Sequence, residues 1–153
     1  MKHLIIVLFL TSLAWTKPLD INDSLPIITL NDQFGNSHTI DKNISKIIIS
    51  FDKKSSVLAN KFISLKKDSA NYLNENNMAF IANITAMPAL ITKLFAMPKM
   101  KKYKHTILLI DDDENDMFLT KKKHISVYHI ENAKVKNITY IKGLETLDAT
   151  VRK

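Results

Sequence analysis

The sequence predicts an α/β fold, a three-layer sandwich with a mixed central sheet, an N-terminal β-hairpin and helices on both faces. Three observations point to it. Residues 46–51 are a near-continuous β-branched run, as expected of a strand buried on both faces. The residues after it change to a spacing that returns apolar side chains to one helical face. Near each end of the chain, two short apolar stretches are separated by turn-forming residues and read as a hairpin.

A chain of 153 residues with 46% hydrophobic content suits one domain with a real core. Two glycines and four prolines argue against a low-complexity class. Residues 1–16 read as a secretory signal peptide. Lys2 and His3 give a positive start, an apolar run covers 4–13, and Ser12-Leu13-Ala14 offers small residues for cleavage. A membrane-spanning helix needs about 20 apolar residues, and this run meets Lys17 and Pro18 first. The expectation is a bacterial periplasmic protein whose single domain covers 17–153, with no stable membrane span after cleavage. Lys and Arg number 22 against 15 Asp and Glu, which favours weak attraction to anionic surfaces. No motif accompanies that charge, so nucleic acid is excluded as a partner.

Within the domain, Ile27, Ile28 and Leu30, then Asn31 to Asn36, then His38-Thr39-Ile40 predict the first hairpin. The strand 46–51 follows. Ser55 or Ser56 caps the long helix behind it, with Leu58, Phe62, Leu65 and Tyr72 on its buried face, and Asn76-Asn77 stops it. Residues 78–84 are a second buried strand. Pro88 opens a short helix that reaches about Ala96, and Met97-Pro98 closes it. A basic connector over 99–104 leads to a strand at 106–110 and an acidic turn at 111–116. Residues 125–130 and 135–141 alternate around Glu131-Asn132-Ala133 as a second hairpin. A terminal helix over 143–152 buries Leu144, Leu147 and Val151.

Strand, helix, strand, helix, strand, hairpin, helix implies parallel strands joined by helical crossovers. That order, with the run Tyr103-Lys104-His105-Thr106-Ile107-Leu108-Leu109-Ile110 leading into an apolar strand, resembles the thioredoxin-like fold over about residues 25–151. The first hairpin is similar to that of its peroxiredoxin and periplasmic thiol-oxidoreductase branches. The resemblance implies a redox cysteine pair at the start of the long helix, where free amides and the helix dipole lower a thiol's pKa. It also implies a cis-proline loop, whose position falls on His105. The chain has no cysteine, and the helix start reads Asp52-Lys53-Lys54-Ser55-Ser56. Serine hydroxyls cannot carry electrons, and capping accounts for them.

Other candidates have simpler readings beside their chemical ones. Met97 and Met100 offer thioethers to Cu(I), or fill core gaps. Asp111 to Asp116 has oxygen ligands for calcium but lacks the glycine and terminal glutamate of the usual loop. His124 and His129 lie an odd number apart on a strand, so they cannot share a metal. The basic runs 99–104 and 121–123 suit an anionic lipid or an acidic partner, or simply a solvated face.

The functional expectation is an exported binding or structural module without thiol redox activity, more a non-enzyme than an enzyme, with no cofactor. It would engage a periplasmic protein or peptide. Its working edge would be Asp52, Lys53, Lys54, Ser55 and Ser56, with the Met87-Pro88 turn and Tyr103, His105 and Thr106. The alternatives are a Cu(I) carrier using Met97 and Met100, and a component of an oxidoreductase system acting through a bound cofactor such as flavin.

Overall fold

Strand β3 (Lys46–Ser50) lies inside a seven-stranded sheet whose order is β2 (Ser37–Ile40), β1 (Ile28–Asp32), β5 (Leu108–Ile110), β4 (Met78–Asn83), β3, β6 (Ile125–Glu131) and β7 (Lys134–Ile141). The computed structural model describes residues 17–111 and 116–152, so the signal peptide expected over 1–16 lies outside the described residues. β3 pairs in parallel with β4 (Met78–Asn83) and antiparallel with β6 (Ile125–Glu131). β5 (Leu108–Ile110) continues the parallel part beside β4. The hairpin β1 (Ile28–Asp32) and β2 (Ser37–Ile40) adds antiparallel strands at one edge, and β7 (Lys134–Ile141) closes the other. The predicted mixed sheet and N-terminal hairpin are thus observed.

Alternation of side chains along each strand separates two cores. Ile48, Phe80 and Val127 belong to one; Ile47, Ile49, Ile81 and Tyr128 belong to the other. Helix α1 (Lys53–Ser64), α2 (Tyr72–Glu75) and α5 (Leu144–Arg152) contribute Phe62, Ile63, Leu73, Leu147 and Val151 to the first core. The expectation of helices on both faces is corrected here: among the described residues extended chain, not a helix, covers the second core, with Leu19, Leu25, Met117, Phe118 and Leu119 packed there. The buried Tyr128 hydroxyl holds this cover, donating to the Leu19 carbonyl at 3.1 Å and accepting the Leu119 amide at 2.6 Å. Among the described residues no helix is long and apolar enough to cross a membrane.

Four local expectations change. The helix cap is Asp52, not Ser55 or Ser56. The single long helix is broken after Ser64: residues 65–71 turn, Leu65 is 69% exposed, and α2 restarts at Tyr72. Asp68 organises the restart: its carboxylate accepts the Asn71 amide nitrogens and its carbonyl accepts the Tyr72 amide at 2.9 Å. Asn77 does end this region in the left-handed conformation, φ +50. Met97-Pro98 does not close the next helix. Helix α3 (Ala89–Ile91) passes through a π-helical turn, Thr92–Ala96, into α4 (Met97–Met100). There the Met97 amide donates to Thr92, five residues back, and this wider turn accommodates Pro98, whose ring would clash with a regular preceding turn. Finally, the third parallel strand is shorter than 106–110, because Thr106 and Ile107 approach β5 without joining the ladder.

Candidate functional site

At the start of α1 the sequence supplies a carboxylate where the fold's redox members are expected to carry a thiolate. Asp52 has extended backbone, φ −146 and ψ 168, and its side chain accepts the Ser55 amide at 2.8 Å. The fully buried Ser55 hydroxyl donates back toward Asp52 and receives the amides of Phe51 and Asp52 at 3.2 Å, a closed capping box. The second Asp52 oxygen accepts the Lys123 amide at 2.6 Å from the loop leading into β6. Burial raises the Asp52 pKa, but the bonds from Ser55 and Lys123 outweigh it and hold the carboxyl below its usual range. An internal anion therefore occupies the positive end of the helix, leaving Lys53 and Lys54 exposed beside it.

Asp52→Ala is expected to destabilise the protein by about 2 kcal/mol, combining a lost cap with a lost charge-assisted bond. Urea unfolding at pH 7 measures it. A change below about 0.5 kcal/mol would show that water replaces the carboxylate without loss.

The structure brings some of the predicted edge together and separates the rest. Asp52 and Met87-Pro88 follow the C-terminal ends of the parallel neighbours β3 and β4, so they share one end of the sheet. Tyr103, His105 and Thr106 precede β5, which is parallel to both, and extending the pairing of Ile81 with Leu108 puts His105 level with Lys46. That is four residues from Ser50, about 13 Å along the strand direction. The loop meeting the Asp52 turn is instead 121–124, with Lys123 in the left-handed conformation at φ +62. Residues 121–124 thus precede β6, the antiparallel neighbour of β3, whereas His105, to which the resemblance gives the cis-proline position, precedes β5. The sequence marks Lys123 only as part of the basic run 121–123, because its role here lies in a backbone amide.

His105 serves a buried network. It is 1% exposed, and its Nε2 lies 2.9 Å from Asn60 Oδ1, while Asn60 Nδ2 donates to the Ser56 carbonyl at 2.9 Å and hydroxyl at 3.3 Å. With Asn60 Oδ1 as acceptor, His105 carries its proton on Nε2, and Nδ1 is buried without a partner. Burial pulls the His105 pKa down to about 4, so the ring is neutral at pH 7. An amide, not an imidazole, faces the Ser56 hydroxyl, so this arrangement provides no base to activate a serine nucleophile. Gln33, also 1% exposed, fixes the same loop by donating to the His105 carbonyl at 2.9 Å and accepting the Ile107 amide at 2.8 Å.

Met97 and Met100 pack against the helix-side core, Met100 at 8% exposure, so their thioethers fill space there. Asp112 to Asn115 lie outside the described residues. Among the described residues no three His, Asp or Glu side chains form a metal-binding group. His124 is tied to the Lys122 carbonyl, whereas His129 sits opposite Lys46 on β3. A cleft of about 270 Å³ lies between the end of β2 and α2, lined by His38, Asp41, Asn74, Phe80 and Thr106 among others. It shares only Thr106 with the predicted edge.

Neither a protein-family model nor a curated protein matches the sequence. Solved structures do. The thioredoxin domain of a thiol-disulfide oxidoreductase from Bacteroides vulgatus matches with a TM-score of 0.52 at 17% identity, over 87% of this chain and 99% of that one. Peroxidoxin BcpB from Mycobacterium tuberculosis matches at 0.53 and 11% identity, over 87% and 94%. A peroxiredoxin-like protein from Aquifex aeolicus matches at 0.53 and 10%, over 88% and 87%. The chain has the thioredoxin-like fold. It has that fold without a cysteine, and at these identities the likeness concerns architecture alone.

Proposed function

We propose that this protein is an exported, periplasmic thioredoxin-like module that binds a protein or peptide partner and has no thiol redox activity. The observation carrying this reading is the occupied helix start: the Asp52 carboxylate, not a thiolate, uses the amides and the positive end of α1. A carboxylate cannot form a mixed disulfide, and the capping box leaves the Ser55 hydroxyl committed to backbone groups. Export is supported by the charged and apolar pattern of residues 1–16. The binding edge is the sheet end carrying Asp52, Lys53 and Lys54, Met87-Pro88 and the 121–124 loop.

Purified full chain is expected to reduce insulin disulfides and consume hydrogen peroxide no faster than buffer. A rate ten times the blank in either assay would overturn the non-redox reading. Cell fractionation tests export separately, since recovery solely in the cytoplasm would remove the periplasmic assignment.

A further inference from the structure

The segment 89–100 is apolar on two opposite sides. Its inner side, Ala96, Met97 and Met100, packs on the helix-side core. Its outer side exposes Leu90 at 66%, Ile91 at 44%, Leu94 at 55% and Phe95 at 66%. Leu90 and Leu94, like Ile91 and Phe95, are four residues apart, so the four form one continuous stripe. A helix apolar all round belongs in a buried setting, and this one leaves four large apolar side chains in water. Its charge context is one-sided. Lys93, Lys99, Lys101, Lys102 and Lys104 are all exposed, and no Asp or Glu occurs between Glu75 and Asp111.

We propose that this stripe docks the protein onto an anionic lipid surface. Leu90, Leu94 and Phe95 enter the boundary between headgroups and acyl chains, and the lysines meet lipid phosphates. Two features favour lipid over an acidic protein. The stripe is an outward-facing helix row rather than a groove, which suits a planar partner. The run 93–104 carries five exposed lysines and no acidic residue, so its charge complements a uniformly anionic surface. The proposal does not depend on the redox reading.

The test uses the full chain with Trp15→Phe, which removes the natural indole, and a new indole introduced by Phe95→Trp. Vesicles contain brominated phosphatidylcholine with or without 30 mol% phosphatidylglycerol, roughly the anionic content of a charged leaflet, at low salt. Fluorescence at position 95 is expected to be quenched on the anionic vesicles. Quenching should weaken tenfold or more on neutral vesicles, and likewise with Lys99→Glu, Lys101→Glu and Lys102→Glu combined. A control indole from Phe34→Trp, also exposed but on the β1–β2 turn, is expected to stay unquenched, which separates docking from tethering by the apolar residues 4–13. Absence of quenching at position 95, equal quenching at both positions, or insensitivity to lipid charge would each overturn the proposal. So would a dimer abolished by Leu94→Ser together with an unquenched position 95, which would assign the stripe to a second copy of the chain.

Discussion

Acidification from pH 7 to pH 4 is expected to cost the folded protein about 3 kcal/mol, and His105→Gln to remove most of that loss. Burial lowers the His105 pKa from an ordinary 6.5 to about 4. Between those values the unfolded chain binds a proton that the folded chain refuses. Stability is therefore complete above pH 6.5, declines as the pH falls through the window, and suffers no further loss from this group below about 4. The 2.5-unit interval, at about 1.4 kcal/mol per unit, gives the magnitude. The discount for solvent is small because the ring is 1% exposed. His129 adds a shallower slope of the same sign, its pKa lowered by burial and then by the charge of Lys46. Urea unfolding at steps from pH 7.5 to 4 measures both. At pH 7 the glutamine variant itself is expected to be about 1–3 kcal/mol less stable, since it disturbs the bond to Asn60. A wild-type curve flat across this window, or a variant with an unchanged slope, would show that water reaches the ring.

Why His105 was not recognisable as a core group, while the strand beside it was, follows from where each gets its environment. Ile47, Ile48 and Ile49 specify a strand buried on both faces through their own side chains, so β3 is legible locally. The second hairpin is equally local: Asn132 and Ala133 adopt φ +51 and +57, the two-residue turn geometry that matches strand twist. Asp52 and Ser55 also carried a readable signal, since an N-cap acid three residues before a serine has capping-box spacing. So did Asp68 and Asn71, whose local bonds organise the turn into α2. His105, Gln33 and Lys123 differ. Their partners are 45, 72 and 71 positions away, and two of the bonds use backbone groups of the distant segment that no residue type announces. The fold was therefore largely readable, whereas the candidate edge was readable only at Asp52 to Ser56 and Met87-Pro88.

Asp32, by contrast, anchors the first hairpin through partners only two to six positions away. Asp32→Ala is expected to cost about 3 kcal/mol. The carboxylate is 5% exposed, and one of its oxygens accepts the amides of Phe34 at 2.8 Å and Asn36 at 2.9 Å. The other meets Asn36 Nδ2 at 3.2 Å and His38 Nε2 at 2.8 Å. Burial works against the charge, but the His38 and Asn36 bonds, with that of Phe34, prevail and lower the pKa to about 2. Because the folded value is depressed, this contribution is present above pH 3.8 and disappears as the pH falls toward 2. The wild-type acid profile should therefore have two limbs, one from His105 between 6.5 and 4 and one below it to which Asp32 and Asp52 both contribute. Asp32→Ala should shrink only the lower limb. Asp32→Asn, which keeps acceptor geometry without charge, should lose about half as much stability at pH 7. The effect extends beyond the turn. Asp32 bonds His38, which lines the cleft, and directly precedes Gln33, whose amide holds the chain before β5. Amide hydrogen exchange in Asp32→Ala should consequently accelerate at Ile107 as well as at Phe34 and Asn36. Protection retained at Ile107 would show that Gln33 keeps its place without the carboxylate and that the turn and the cleft are energetically independent.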